Sequence, residues 1–231
     1  MLREPCPPAA RSRRTLRAAR RFAAVMLLGA LGACSSLHAL TRQQDAHLAQ
    51  VPPGVYRLDP RHCSVTFDVD HLGFSRFVMR FDHVGARLDW PATGAGSARL
   101  QAWVASASID TNDALLDREL RGPAMLDARH HARITLRADG LHDLRGDRGL
   151  VHGELRLGRT VEPIVLHVRF HGYGIDPING LPTLGFSARA SFSRARLGLL
   201  AWPGVVGDSV HLRIEAEFVG SPRPAGGTTS P

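Results

Sequence analysis

Twelve histidines stand out among the reactive side chains of this 231-residue chain, because imidazole can bind metal ions and transfer protons near neutral pH. Their spacing does not favour a metal site. The sequence contains no His-Glu-x-x-His motif and no closely spaced cysteine pair. His130 and His131 share a predicted loop, while His62 and His71 lie nine residues apart without an evident third ligand. We therefore predict no bound metal and no other cofactor.

Motifs of common enzyme classes are also missing from the sequence. It has no Gly-x-Ser-x-Gly nucleophile turn, no phosphate-binding glycine loop and no dinucleotide fingerprint. Asp113 and Asp117 fall at the start of a predicted helix, where carboxylates favour the helix N-terminus. We predict that the protein is not an enzyme. A hydrolase or redox enzyme that uses His62, His71 or Cys63 is kept as an alternative.

Cys34 carries the clearest predicted modification. An arginine cluster precedes the apolar run 22–31, a layout typical of a signal peptide. The run is shorter than the roughly 20 residues that a spanning helix needs. Residues 31–34, Leu-Gly-Ala-Cys, resemble a bacterial lipobox, in which the cysteine becomes the acylated first residue. We predict that residues 1–33 are a signal peptide and that Cys34 is the lipid attachment site; a buried cysteine beside an ordinary cleavage site is the alternative.

Most of the positive charge belongs to the predicted signal peptide. The chain has a formal net charge of +8, and seven arginines and one glutamate within residues 1–33 account for +6 of it, which leaves +2 for the rest. Nucleic-acid binding needs a clustered basic face on the folded domain, and the sequence shows none. We therefore predict no nucleic-acid partner.

The predicted anchor and its surroundings also indicate a location. Residues 34–53 are polar without sustained periodicity and read as a tether, and residues 221–231 read as a disordered tail. Ser35 and Ser36 follow Cys34, with no aspartate at the second position. By analogy with enterobacterial lipoproteins, we expect a periplasmic protein held on the outer membrane by an acyl anchor. A homodimer is left open.

Alternation of apolar and polar residues dominates the region between tether and tail, which indicates β-strands with one dry face. A stretch near 111–127 breaks the pattern and predicts a short helical insertion. The strands form an antiparallel barrel or a sandwich, and periodicity alone does not separate the two. The predicted strands cover residues 63–70, 84–90, 98–109, 133–139, 148–157, 164–170, 183–192 and 209–218.

Several segments in order resemble the YceI-like family of periplasmic, polyisoprenoid-binding proteins. The resemblance runs from about Tyr56 to Val219. It departs from the family pattern at Ala124-Met125, Glu162 and Arg196-Leu197. The segments are Tyr56-Arg-Leu-Asp-Pro-Arg-His-Cys-Ser-Val-Thr-Phe, His71-Leu-Gly-Phe-Ser, Ser108-Ile-Asp-Thr-Asn, Glu119-Leu-Arg-Gly-Pro-Ala-Met-Leu-Asp with Ala132-Arg-Ile-Thr-Leu, Gly153-Glu-Leu-Arg-Leu, Thr160-Val-Glu-Pro-Ile-Val-Leu and Phe192-Ser-Arg-Ala-Arg-Leu-Gly-Leu.

This resemblance implies a single, extended, lipocalin-like antiparallel β-barrel of about eight strands over residues 54–220. It also implies that the apolar interior holds a long isoprenoid lipid, quinone-like or polyprenyl. Polar groups expected at the barrel mouth are His62, His71, Arg121 and Arg194, the two arginines serving either as headgroup contacts or as structural clamps. The expected lining is Val65, Phe67, Val69, Val84, Leu88, Ile164, Leu166, Val168, Phe170, Phe186, Phe192, Leu212 and Ile214.

A second function stays open beside the lipid carrier. An eight-stranded barrel is often filled by its own side chains. The chain would then be a structural or interaction lipoprotein of the envelope with a closed barrel and no ligand. The state of the barrel interior, filled or hollow, bears directly on this choice.

Overall fold

The computed structural model describes residues 47–221, and more than half of the residues in this part of the chain belong to β-strands. It contains ten strands and one α-helix. The strands are β1 Gly54–His71, β2 Ser75–Phe81, β3 Val84–Trp90, β4 Arg99–Ala105, β5 Ile109–Asp110, β6 Arg133–Arg145, β7 Arg148–Leu157, β8 Thr160–Ile175, β9 Pro182–Ser193 and β10 Ser209–Gly220, and the helix is α1 Ala114–Leu120.

The strands form one antiparallel sheet that closes on itself. Its order is β10-β9-β8-β7-β6-β4-β3-β1-β2-β5, and an additional pairing of β10 with β1 completes the ring. The first residues of β1 pair with β3 and its last residues pair with β2, so β2 and β3 share one place in the ring. β5 and β4 likewise share the next place. The predicted all-β, eight-stranded barrel is confirmed, and the sandwich alternative is wrong.

Side-chain alternation directs one face of each strand into the barrel, since successive residues of a strand point to opposite sides. β3 and β7 have the predicted bounds, whereas β1 starts at Gly54, nine residues before the predicted start. β2 was not predicted at all. Its apolar Phe77, Met79 and Phe81 do alternate with arginines, but the exposed Val78 interrupts the polar face.

The helical insertion is shorter than predicted. Asp113 caps α1, because its carboxylate accepts hydrogen bonds from the backbone N–H of Leu115 at 2.8 Å and of Leu116 at 3.3 Å. The helix ends at Leu120, and residues 121–131 form hydrogen-bonded turns instead of the predicted extension to 127. Pro123 explains the end, since a proline disfavours helical geometry at the residue before it.

The two ends of the barrel differ. At the closed end, residues 47–53 and the β3–β4, β6–β7 and β8–β9 connections gather over buried side chains that include Trp90, Leu184 and Phe218. Tyr56 belongs to this cluster and donates a hydrogen bond to the carbonyl of Pro52 at 2.8 Å, and burial raises the pKa of its hydroxyl to about 12. At the open end lie the 72–74 turn, α1 and the β9–β10 loop 194–208.

Asp59 holds an irregularity of β1 together. The pairing of β1 with β10 shifts register between Leu58 and Cys63. Within this bulge, the Asp59 carboxylate accepts hydrogen bonds from the backbone and guanidinium of Arg61 and lies 3.0 Å from the His62 ring. Those donors favour the charged carboxylate and lower the pKa of Asp59 from 3.8 to about 2.

Replacing Asp59 with asparagine is expected to reduce the pH dependence of the free energy of unfolding at acid pH. Because the folded-state pKa lies below the unfolded one, the unfolded chain binds more protons, and stability falls as the pH drops from about 4 to about 2. Urea unfolding at a series of pH values measures this slope. Asp139→Asn on β6 is the control. Parallel pH profiles for the Asp59→Asn variant and the unmodified protein would contradict the assignment.

A cavity inside the barrel as the candidate ligand site

A cavity of about 640 Å³ runs along the inside of the barrel. This volume lies in the range of about 300–1,000 Å³ that is usual for small-molecule sites. Aliphatic and aromatic side chains form almost the whole wall. The wall includes His71, Glu119, Thr135 and Arg194 as its polar residues, so the chemistry that it offers a ligand is dispersion contact.

Alanines keep the middle of the barrel hollow. Ala86 of β3 and Ala102 of β4 are directly opposite each other across the strand pair, and both line the cavity. Ala188 of β9 lines it as well and is paired with Ile214 of β10 and Val168 of β8. Larger side chains at these positions could fill the interior of an eight-stranded barrel, but a methyl group is too short to do so. The interior is therefore not packed shut, in contrast to the closed-barrel alternative.

The cavity opens at the open end of the barrel. There its wall includes Leu116 of α1 and Leu199 and Trp202 of the β9–β10 loop, which are only partly buried. At the other end, its wall includes Trp90 and Leu141, which are fully buried. The segments that border the mouth are thus α1 and the β9–β10 loop, whose side chains belong to one hydrophobic cluster.

The structure places most of the predicted lining residues on this wall. Ile164 and Phe170 are not on it. Ile164 packs with Leu136 and Leu166 in a buried cluster, and the Phe170 ring lies 5.2 Å from that of Phe186, so both belong to the packed core. Contact of the wall residues with a ligand stays a prediction. The wall includes Val65, Phe67, Val69, Val84, Leu88, Leu166, Val168, Phe186, Phe192, Leu212 and Ile214.

Arg194 is a structural clamp of the mouth. Its side chain is almost fully buried, and its guanidinium donates hydrogen bonds to four backbone carbonyls of the β9–β10 loop. The acceptors and donor–acceptor distances are Gly207 at 3.0 Å, Leu199 at 2.5 Å, Ala201 at 2.8 Å and Val206 at 3.0 Å. A guanidinium suits this role because its donors have a fixed planar arrangement. The loop that lines the mouth is thereby held by one side chain.

The three other polar residues predicted at the mouth have different positions. His71 lies on the cavity wall at the open end. Arg121 donates to the carbonyl of Ile109 at 2.7 Å and pairs with Asp117 at 3.3 Å, so it too clamps α1 to the barrel. His62 lies at the β1 bulge beside Asp59, away from the mouth. This position corrects its predicted place.

The residues of the alternative enzyme prediction are not brought together. His62 and Cys63 lie at the bulge, and His71 is at the end of the same strand, about 30 Å further along at 3.3 Å per residue. Burial raises the pKa of the Cys63 thiol, which disfavours the reactive thiolate.

Across residues 47–221, no group of three or more His, Cys, Asp or Glu side chains is arranged to hold a metal ion. Nor does any helix in that stretch have the length and hydropathy to cross a bilayer.

Two kinds of wall residue escaped the sequence prediction. The alanines at 86, 102 and 188 occupy inward positions of the alternating pattern, and their small size there was the available signal of a hollow interior. Met125 and Trp202 lie in connections without periodicity, so no pattern in the sequence marks them as part of the wall.

The fold and the cavity together define a class of protein. A closed antiparallel barrel of eight strands, sealed at one end and entered at the other, with an apolar interior, is a lipocalin-like barrel. Residues 56–218 match the family model of the YceI-like domain. This chain belongs to the YceI-like family.

Known proteins agree with this assignment. A UPF0312 protein of Shewanella oneidensis is 27% identical over 158 residues, which cover 68% of this chain and 82% of that protein. Two solved structures share the fold. BcnA of Burkholderia cenocepacia has a TM-score of 0.61 at 18% identity and covers 69% of this chain and 98% of its own. A domain of Saccharophagus degradans described as polyisoprenoid-binding has a TM-score of 0.56 at 15% identity and covers 76% and 100%.

Proposed function

We propose that this protein binds a long isoprenoid-type lipid, quinone-like or polyprenyl, inside its barrel and sequesters or carries it without changing its bonds. The observation that carries the proposal is the apolar cavity of about 640 Å³, open at one end. Family membership and the polyisoprenoid-binding neighbour support the lipid class.

The energetics of such a site favour a hydrocarbon chain. Each methylene group transferred from water to the cavity contributes about 0.8 kcal/mol. An isoprenoid tail has few polar groups that need hydrogen-bond partners, and the cavity wall has few polar side chains. Its headgroup would remain near the mouth, where His71 and Glu119 are the polar wall residues exposed to solvent.

The proposal includes the location of the protein. We propose that Cys34 carries an acyl anchor, that the barrel lies in the periplasm, and that the anchor is in the outer membrane. Cys34 and the signal-like segment before it lie outside the described residues, and the sequence alone supports this part of the proposal. An anchor of several acyl chains would keep a carrier close to the membrane that supplies its ligand.

One preparation tests the ligand and the anchor. The full chain is produced in a Gram-negative host, purified in mild detergent, and divided for organic extraction and for intact-mass measurement. We expect about one equivalent of an isoprenoid lipid per chain in the extract, and a mature mass that begins at Cys34 and includes acyl groups. An extract without a stoichiometric apolar lipid would contradict binding and favour the structural lipoprotein; an unmodified Cys34 would contradict the anchor alone.

A further inference from the structure

The open end of the barrel presents a contiguous apolar surface to solvent. Phe74 is 88% exposed and Leu72 is 50% exposed in the β1–β2 turn, and Leu200 is 65% and Val205 42% exposed in the neighbouring loop. The two segments touch, because the backbone N–H of Leu72 donates to the carbonyl of Val205 at 3.0 Å. We call the side chains of Leu72, Phe74, Leu200 and Val205 the apolar rim. A cluster of this kind marks an interaction site more often than a bare surface.

Two residues of the segments that carry the apolar rim have an unfavourable backbone conformation. Leu72 has a φ of +55° and Trp202 a φ of +56°, both in the left-handed region that bulky L-residues rarely adopt. Neither position carries the glycine or asparagine that would relieve the strain. Strained positions of this kind cluster at sites of function. The rim residue Leu72 is therefore held at a conformational cost.

A basic face adjoins the apolar rim on the outside of the barrel. Arg76, Arg189, Arg196 and Arg213 line one shallow groove across β2, β10, β9 and the β9–β10 loop. The groove also contains two carboxylates, both nearly buried. Arg76 pairs with Asp68 at 2.5 Å, and Arg196 pairs with Glu162 at 2.9 Å. Arg213 also lies 3.7 Å from Asp68, so three of the four arginines are ion-paired, and four arginines with two carboxylates give the groove a formal charge of +2.

The segment around α1, which follows β5 beside β2, has the opposite charge. Residues 110–121, which include α1, contain four carboxylates and two arginines, a formal charge of −2. The charge around the mouth is therefore uneven. It is positive in the groove beside the apolar rim and negative in the segment around α1. An anionic surface would be attracted to the groove and repelled by the segment around α1.

We propose that the apolar rim inserts into the surface of a bilayer that contains anionic phospholipids, while the arginines of the basic face contact lipid phosphates. This proposal rests on the proposed function, because it places the cavity mouth where a lipid could enter from a membrane. Leu200 and Phe74 are the deepest-inserting groups, and Arg189, exposed on β9, is a phosphate contact. The charge of the basic face favours a bilayer over an uncharged protein surface.

Vesicle binding tests this proposal. The mature chain, residues 34–231, carries Cys34→Ser in every sample, so that neither the predicted signal peptide nor an acyl anchor contributes, and is sedimented with vesicles of phosphatidylcholine alone or with phosphatidylglycerol. We expect the double variant Phe74→Ser/Leu200→Ser to bind both vesicle types about tenfold more weakly, because two apolar side chains no longer leave water. Ile178→Ser is the matched control, since Ile178 is 91% exposed at the closed end.

A charge variant tests the basic face separately. Arg189→Gln is expected to weaken binding to phosphatidylglycerol vesicles two- to threefold and to leave binding to phosphatidylcholine unchanged, as about one headgroup contact is lost. Arg137→Gln, exposed on β6, should have no effect on either. Equal binding of the unmodified protein and the double variant would overturn the proposal, and so would loss of binding in Ile178→Ser alone. Absence of vesicle binding in all samples would also overturn it and would favour a protein partner for the rim.

The bound lipid, extracted from the same variants, separates this proposal from the proposed function. If the double variant loses vesicle binding but keeps its lipid, the result supports membrane docking and does not affect the proposed lipid carriage. If the double variant loses vesicle binding and neither it nor the unmodified protein contains lipid, the result supports docking and contradicts the carrier function. Retained vesicle binding in the double variant overturns docking whatever the lipid content.

Discussion

The double variant Ala102→Phe/Ala188→Phe is expected to lose at least nine-tenths of the lipid that co-purifies with the protein, without loss of stability. Both alanines line the middle of the cavity on opposite parts of the ring. Phenylalanine at these positions fills space that is otherwise empty. Each methylene of a ligand that is displaced costs about 0.8 kcal/mol, so that two displaced methylenes already lower the affinity about tenfold.

Phenylalanine is the appropriate replacement because it brings no polar atom into the cavity. A tryptophan or tyrosine would place a hydrogen-bond donor among apolar side chains without a partner. Filling a real cavity raises the free energy of unfolding or leaves it unchanged, whereas adding the same ring to a packed core lowers it by about 1–3 kcal/mol. The stability measurement therefore reports on whether the cavity is hollow, independently of any ligand.

Gln101→Phe provides the control. Gln101 precedes Ala102 on β4 and is exposed on the outer face of the barrel. The Gln101→Phe variant should retain both its stability and its lipid content. Thermal unfolding and mass spectrometry of the extract are the two measurements. Unchanged lipid content in a folded Ala102→Phe/Ala188→Phe variant would contradict a ligand in this cavity, and a drop in melting temperature of the double variant would contradict the hollow middle.

Replacing Arg194 with methionine is expected to have the largest effect on stability, a loss of about 3–5 kcal/mol in the free energy of unfolding. The side chain is 8% exposed, and four loop carbonyls depend on it. Hydrogen bonds to a charged donor each contribute about 1.5–3 kcal/mol, but they share one side chain and do not add. Methionine keeps most of the apolar volume, so the change reports on the lost donors.

Arg194→Lys distinguishes the clamp from a simple requirement for positive charge. An ammonium group keeps the charge but cannot present the planar set of donors, and we expect it to recover less than half of the lost stability. Urea unfolding measures the free energy, and hydrogen exchange of residues 199–207 should accelerate in both variants. If lysine restored full stability and exchange protection, charge alone would explain the role of Arg194.

The alternating pattern predicted the antiparallel sheet because its strands are half-buried. On β10, Val210, Leu212, Ile214, Ala216 and Phe218 alternate with polar residues, and such a pattern has only one sheet face to bury. The closure of the sheet did not follow from the pattern. It came from the family resemblance, since the pairing of β10 with β1 joins residues about 150 positions apart in the chain.

Features of the mouth could not be predicted in the same way. Arg194 was expected near the opening, but its backbone acceptors lie in a loop without periodicity, and only three-dimensional structure shows that it serves four of them. His62 was misplaced because it lies nine residues before His71 on the same strand, so that only His71 reaches the mouth. Ile164 and Phe170 face the interior as expected, yet neighbouring side chains cover them.

The chain enters the barrel at Gly54, at the sealed base, whereas the cavity opens at the opposite pole. If Cys34 carries the proposed anchor, the tether joins the barrel at the end opposite the cavity mouth. Residues 35–46 can span at most about 40 Å, close to the height of a barrel whose longest strand has 18 residues at a tilt of about 40°. With that anchor, lipid exchange between the cavity and the anchoring bilayer would require the barrel to turn over on an extended tether, whereas exchange with a facing bilayer would not.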